Sequence, residues 1–155
     1  IKNNIQIVYL GWFIEDWSLL NNGLSSILSG LHIRQDSPIN TGDLFNVSSL
    51  DEDWVTLNQM IKYYKYGFGR ASDYVNELIR LQKISRDEGI KLVKQYDGKC
   101  SAEYIKSFCN YINISESHFW NKVKSSLNRN LFDLTANDKI IAKFEVGKGT
   151  SNATY

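Results

Sequence analysis

Between residues 69 and 115 the sequence opens a helix four times, and that rhythm leaves room for little except a stack of short helices. Gly67-Phe68-Gly69 ends one helical segment and starts the next, where Ala71, Tyr74, Val75, Leu78 and Ile79 keep the i, i+3, i+4, i+7, i+8 spacing of a single helix face. Ser85-Arg86-Asp87-Glu88 is a capping box: the serine oxygen accepts an orphan amide, and the glutamate reaches back to the serine amide. It opens a helix with Gly89, Leu92, Val93 and Tyr96 inward that ends at Asp97-Gly98. Ser101 caps the next, with Ile105, Phe108, Cys109 and Ile112 inward, and Ser115 the last, with Phe119, Trp120, Val123 and Leu127 inward. Together they predict a compact helical bundle.

Upstream, Ser49-Leu50-Asp51-Glu52 also has the capping-box pattern, and predicts a helix carrying Trp54, Leu57, Ile61 and Tyr64 inward and stopping at Gly67. Trp17, Leu20, Leu24, Ile27, Leu28 and Leu31 fall at helical spacing, although Gly23 lies among them. Residues 34–47 hold Pro38, Gly42 and several Asn, Asp and Ser, and form the longest loop. Only two stretches favour strand. Ile5 to Leu10 is a short apolar, β-branched run ended by Gly11, of the kind buried in a parallel sheet, and Lys139 to Val146 alternates Ile140, Ala142, Phe144 and Val146 against Ile141, Lys143 and Glu145.

The chain of 155 residues is 43% hydrophobic, enough for one ordinary domain with a core, which excludes disordered and collagen-like classes. Eighteen Lys and Arg against seventeen Asp and Glu leave +1, so the chain lacks the excess of positive charge that drives non-specific nucleic-acid binding. The charge is uneven. Residues 1–61 carry two bases and seven acids, residues 62–106 ten and six, so the middle third is where an anion would go. Cys100 and Cys109 make no zinc set and are expected to stay reduced; with neither a membrane span nor a signal peptide legible, the expected setting is the cytoplasm. His32 and His118 have no His or Cys neighbours at metal-binding spacing, and no metal site is expected.

The stretch richest in chemistry is Lys62-Tyr63-Tyr64-Lys65-Tyr66-Gly67-Phe68-Gly69-Arg70-Ala71-Ser72-Asp73. Its glycines permit close backbone approach, the following helix offers amides and the positive end of its dipole, and Lys65 and Arg70 add full charges. That outlines an anion pocket. The same residues are compatible with a glycine-rich turn between helices flanked by solvated bases. Gly67-Phe68-Gly69 also approaches a dinucleotide fingerprint, but a helix precedes it where that fingerprint needs a strand. A second candidate is Tyr9 to Trp17, where Trp12, Glu15 and Asp16 could line a cleft at the end of a strand, or else Trp12 and Phe13 are core and the acids cap a helix. Asp97-Gly98-Lys99 reads as a plain helix-ending turn. No phosphate loop and no nucleophile elbow is present, so the chain by itself is not expected to hydrolyse or bind ATP, and its catalytic residues are unassigned.

Three segments resemble, in order and spacing, the C-terminal part of the N-acetyl sugar amidotransferases: Tyr9 to Phe13, Tyr64 to Asp73, and Ile84 to Gly98. The likeness continues through Tyr104 to Trp120 and covers about residues 7–125. That family serves lipopolysaccharide and surface-glycan biosynthesis. The resemblance implies an ATP-pyrophosphatase-type domain that adenylates an N-acetyl group, and ammonia from a partner glutaminase that turns it into an acetamidino group on a nucleotide-linked or nonulosonic sugar. It implies that ATP with Mg binds an upstream domain carrying the family's Ser-Gly-Gly-x-Asp-Ser loop, and that this chain alone holds no cofactor.

On this basis the chain is expected to be mainly α: residues 1–16 as the last strand of an upstream α/β nucleotide domain, 17–130 as a helical C-terminal domain, and 131–155 as a short strand and tail. The expected substrate or anion site is Lys65, Gly67, Gly69, Arg70 and Asp73, with Trp12 as a further member. Neither nucleic acid nor membrane is an expected partner. A non-catalytic module that docks the glutaminase, and a helix-turn-helix nucleic-acid binder built from the helices between Arg70 and Leu127, are the rival readings.

Overall fold

The computed structural model describes residues 6–150, and the chain divides into two compact units, Ile1–Ile33 and Arg34–Tyr155. Among the described residues there are seven α-helices and two short antiparallel strand pairs.

In the first unit the strand expected for Ile5 to Leu10 is absent from its described part: residues 6–9 have no regular structure and Leu10 opens a single 3-10 turn, Leu10–Phe13, while Ile5 lies outside the described residues. A strand is held by a neighbour, and no described segment pairs with this one. Helix α1, Leu19–Leu28, is shorter than the apolar spacing suggests, because Ser18 caps it, its hydroxyl accepting the Asn21 amide at 3.0 Å, and Leu31 falls beyond its end at Gly30.

The second unit holds the other six helices. Residues 34–47, read as loop, contain one helical turn, α2 (Pro38–Thr41), with Pro at its start and Gly42 in the left-handed conformation at its end. Helix α3 (Val55–Tyr66) begins later than the Ser49 capping box indicates. Ser49 sits at φ +53°, which a cap in extended geometry cannot adopt, and the Arg34 guanidinium takes the carbonyls of Ser49 (3.0 Å) and Glu52 (2.7 Å). The Glu52 carboxylate turns instead to the Trp54 amide at 2.8 Å. The other boundaries follow the sequence: α3 stops at Gly67 (φ +81°), α4 spans Arg70–Arg80, and α5 (Arg86–Tyr96) starts on a capping box with both halves formed. Ser101 and Ser115 cap α6 (Ala102–Tyr111) and α7 (Glu116–Ser125).

Leu57 and Met60 of α3, Ile105 and Cys109 of α6, and Phe119 and Val123 of α7 form one buried cluster. Beside it α4 packs on α5. Gly89 makes that contact close, since a Cβ there would stand 2.7 Å from Val75 Cγ1. The strand expected over Lys139 to Val146 is broken in two. Phe132–Leu134 (β1) pairs with Ile140–Ala142 (β2), and Phe144–Glu145 (β3) pairs with Gly149–Thr150 (β4). The Lys143 amide donates to the Leu131 carbonyl at 2.8 Å, one further rung in the β1–β2 register, and the second pair takes over at Phe144. Phe132, 1% exposed, anchors this region against the rings of Tyr63, Tyr64 and Phe144 at 5.2 to 5.6 Å.

Candidate functional site

The structure brings Lys65, Gly67, Gly69, Arg70 and Asp73 together at the turn between α3 and α4. Trp12 belongs to the first unit, where it is 88% exposed and lines a shallow apolar cavity of about 270 Å³ with Ile7, Val8, Tyr9 and Phe13. Glu15 and Asp16 line a separate cavity of about 410 Å³ against α1, with Asp16 at φ +59° and its carbonyl accepting the Asn21 side-chain amide at 2.8 Å.

Two of the amides that a helix start normally leaves free, those of Gly69 and Ser72, are engaged at α4 by a residue far along the chain. Asp97, buried at the end of α5, accepts the Gly69 amide at 2.9 Å and the Ser72 hydroxyl at 2.6 Å on one oxygen, and the Ser72 amide at 3.2 Å on the other. A carboxylate at the positive end of α4 is favoured by the helix dipole as well as by these bonds. Gly69 has to be glycine for this to happen, since a Cβ there would stand 2.9 Å from Asp97 Oδ1. The Gly67 amide goes to the Tyr63 carbonyl at 2.8 Å. Both glycines therefore shape the turn, and what the turn offers an incoming anion is side-chain charge.

That charge comes from three residues in different states. Lys62 is paired with Asp73 at 2.8 Å and stands 4.5 Å over the Phe68 ring, which commits Asp73 to an ion pair. Lys65 is exposed in the last turn of α3, where its carbonyl accepts the Asn128 side-chain amide at 3.0 Å. The Arg70 guanidinium is half-buried, 5.8 Å from the centre of the Tyr74 ring. Burial pushes the Tyr74 phenol up to about 12; Ser48 and the nearby Arg70 charge act against that shift, and the Asp43 carboxylate acts with it. Asp43 is itself satisfied, accepting the amides of Phe45 and Asn46 at 2.9 Å and the Tyr74 hydroxyl at 3.1 Å.

Two aromatic rings of the same turn were not among the candidates read from the sequence. Tyr66 is 63% exposed and Phe68 44% exposed, with their ring centres 6.3 Å apart. The signal was in the motif, in the alternation of aromatic and glycine over Tyr66-Gly67-Phe68-Gly69, but pattern alone does not say which rings turn outward. Asp97 was legible only as a helix end. Among the described residues no group of three His, Cys, Asp or Glu is placed to hold a metal ion, and no helix is long and apolar enough to cross a membrane.

A mainly helical unit whose two central helices are locked together through a buried carboxylate, with a basic and aromatic turn on its surface, is the class of domain that this geometry defines. Residues 43–148 match the family model described as LPS biosynthesis protein WbpG-like, C-terminal domain. The chain belongs to that family. No curated protein and no solved structure gives a significant match.

Proposed function

We propose that the chain is the C-terminal part of an ATP-dependent N-acetyl sugar amidotransferase acting on a surface-glycan precursor in the cytoplasm, with ammonia supplied by a partner glutaminase. The observation that carries this reading is that the basic turn from Lys62 to Asp73 lies inside the segment matched to a lipopolysaccharide-biosynthesis C-terminal domain. The resemblance of Tyr64 to Asp73 and Ile84 to Gly98 to the amidotransferases supports it further, because those two stretches are the ones that Asp97 ties together.

In this reading ATP with Mg is held upstream, where the acetamido oxygen is adenylated with release of pyrophosphate. Ammonia then displaces AMP and leaves the acetamidino group. The residues described here contribute substrate placement: Lys65 and Arg70 attract a phosphate or carboxylate of the sugar precursor, and Gly67 and Gly69 give the turn its shape. Asp73 orients Lys62. A cation aimed at a bound anion strengthens as water is displaced, which is where such charges add most to binding.

The test is amidination of an N-acetyl sugar nucleotide by the full-length protein with its glutaminase, followed by mass spectrometry. Arg70→Ala is expected to raise KM for the sugar at least tenfold with glutaminase association unchanged. If Arg70→Ala leaves amidination intact and weakens glutaminase association, the domain is a docking module and the substrate reading is lost.

A further inference from the structure

From the exposed rings of Tyr66 and Phe68 and the cations beside them, we infer that the turn between α3 and α4 binds the nucleoside diphosphate portion of a nucleotide-linked ligand. The inference rests on the reading above for the kind of substrate, and goes beyond it in adding Tyr66 and Phe68 to the site and assigning them the nucleoside, with the diphosphate left to Lys65.

The backbone under the two rings is fixed from both sides. Gly67 holds φ +81° with its amide on the Tyr63 carbonyl, and Gly69 is clamped by the Asp97 carboxylate at 2.9 Å. Phe68 is steadied further by the Lys62 ammonium 4.5 Å over its face, and that ammonium is anchored by Asp73 at 2.8 Å. The turn therefore presents the exposed Tyr66 ring on a fixed backbone with the Phe68 ring 6.3 Å beside it, which is what a stacking platform requires. Rings needed only for packing would be covered, as Phe132 is fully and Tyr63 and Tyr64 are in part in the same region.

Charge lies along one side of the platform. Lys65 and Tyr66 are exposed in the last turn of α3, and the half-buried Lys62 stands three and four residues before them. The Asn128 side-chain amide donates to the Lys65 carbonyl at 3.0 Å, and the Lys143 ammonium donates to the carbonyl of the next residue, Arg129, at 3.1 Å. Among the described residues Lys65, Arg129 and Lys143 form no ion pair. A flat ring on Tyr66 with a diphosphate extending toward Lys65 uses both features. A neutral sugar would leave the cations unanswered, and a bare phosphate would leave the rings bare.

UDP titrated calorimetrically into the full-length protein, with saturating ATP to occupy any ATP site, tests the assignment. UDP is expected to bind more tightly than uridine or pyrophosphate. Tyr66→Ala is expected to weaken UDP by about tenfold, since stacking of one base on an aromatic is lost, with pyrophosphate affected far less. Lys65→Gln is expected to weaken UDP and pyrophosphate together and to flatten the salt dependence. Both side chains are exposed, and unchanged thermal midpoints would show that the variants fold. Absence of UDP binding at millimolar concentration, or equal UDP affinity in wild type and Tyr66→Ala, overturns the proposal. UDP binding lost in Tyr66→Ala in a protein that never amidinates would retire the amidotransferase reading and keep this site; amidination with an unchanged KM in Tyr66→Ala would do the reverse.

Discussion

Asp97 and Gly69, 28 residues apart, are joined by a 2.9 Å hydrogen bond in which the buried carboxylate of one helix end takes the backbone amide at the start of another. The same carboxylate holds Ser72 twice, so a single side chain does for α4 what a local N-cap residue does for most helices. Asp97→Ala leaves the Gly69 and Ser72 donors without their acceptor in a buried setting, and is expected to cost about 2–4 kcal/mol of unfolding free energy. Asp97→Asn keeps one acceptor oxygen and is expected to lose about half as much. Urea unfolding of the two variants measures both; an Ala variant within 0.5 kcal/mol of wild type, about the noise expected for a surface change, would mean that water replaces the carboxylate freely.

Gly98 and Gly67 both hold left-handed backbone, yet their surroundings differ. A Cβ at Gly98 (φ +73°) would stand 2.3 Å from the Tyr63 ring, whereas one at Gly67 (φ +81°) would meet Leu131 Cδ1 at 3.2 Å, a flexible methyl. Gly98→Ala therefore combines strain with a collision against a ring held by Phe132 and Phe144, and should destabilise by about 3 kcal/mol or more. Gly67→Ala should cost about 1–2 kcal/mol from strain alone. Thermal melts that ranked the two in the opposite order would refute this account.

The helices were legible because most of their boundaries are written in neighbouring residues. Ser85, Ser101 and Ser115 each bond an amide three residues on, and Gly67 ends α3 by its own conformation. What was not legible is long-range. The Ser49 box has the right letters, but Arg34 takes the carbonyls of Ser49 and Glu52 from 15 and 18 residues away, and α3 waits until Val55. The run ending at Leu10 has strand composition without a described neighbour to pair with, and the stretch over Lys139 to Val146 divides because its first half pairs with β1 and its second with β4. At the candidate site the sequence located the turn and its cations. It could not show that the Gly69 and Ser72 amides were already bonded, because the bonding carboxylate lies in a different motif, nor that Tyr66 and Phe68 are exposed while Tyr63 and Tyr64 pack half-buried on Phe132.

Ser85 and Glu88 supply a pH-sensitive cap at the start of α5. The serine amide and hydroxyl donate to the Glu88 carboxylate at 2.8 and 2.7 Å, and these bonds hold the Glu88 carboxyl below its usual value. A lowered folded value means stability that is present above the unfolded carboxylate value and lost as pH falls through the folded one. Glu88→Gln, which cannot titrate, should therefore show a smaller fall in melting temperature on acidification than wild type. Ser85→Ala should cost about 1 kcal/mol at neutral pH and show the same flattening. Parallel acid profiles for wild type and Glu88→Gln would exclude the cap as their source.

The alkaline limb follows from two buried phenols. Burial, and secondarily the Asp97 charge, pushes Tyr63 up to about 12 from 10.0, and burial raises Tyr74 to about 12 from the same value. In each case the folded chain keeps a proton that the unfolded chain releases first. The stabilisation is complete below the unfolded value of 10.0 and disappears as pH rises through about 12. The melting temperature should therefore drop steeply across that interval. Tyr63→Phe removes one of the raised hydroxyls and should make the drop shallower, since a raised phenol value is a stability term in proportion to its shift. Tyr74→Phe should flatten it too, while lowering stability at neutral pH by about 1 kcal/mol as Asp43 and Ser48 lose a hydrogen-bond partner. Absorbance near 295 nm, where phenolate absorbs, followed through the same titration separates the cases: native Tyr63 and Tyr74 ionising at the ordinary phenol value of 10.0 would show that burial does not hold their protons.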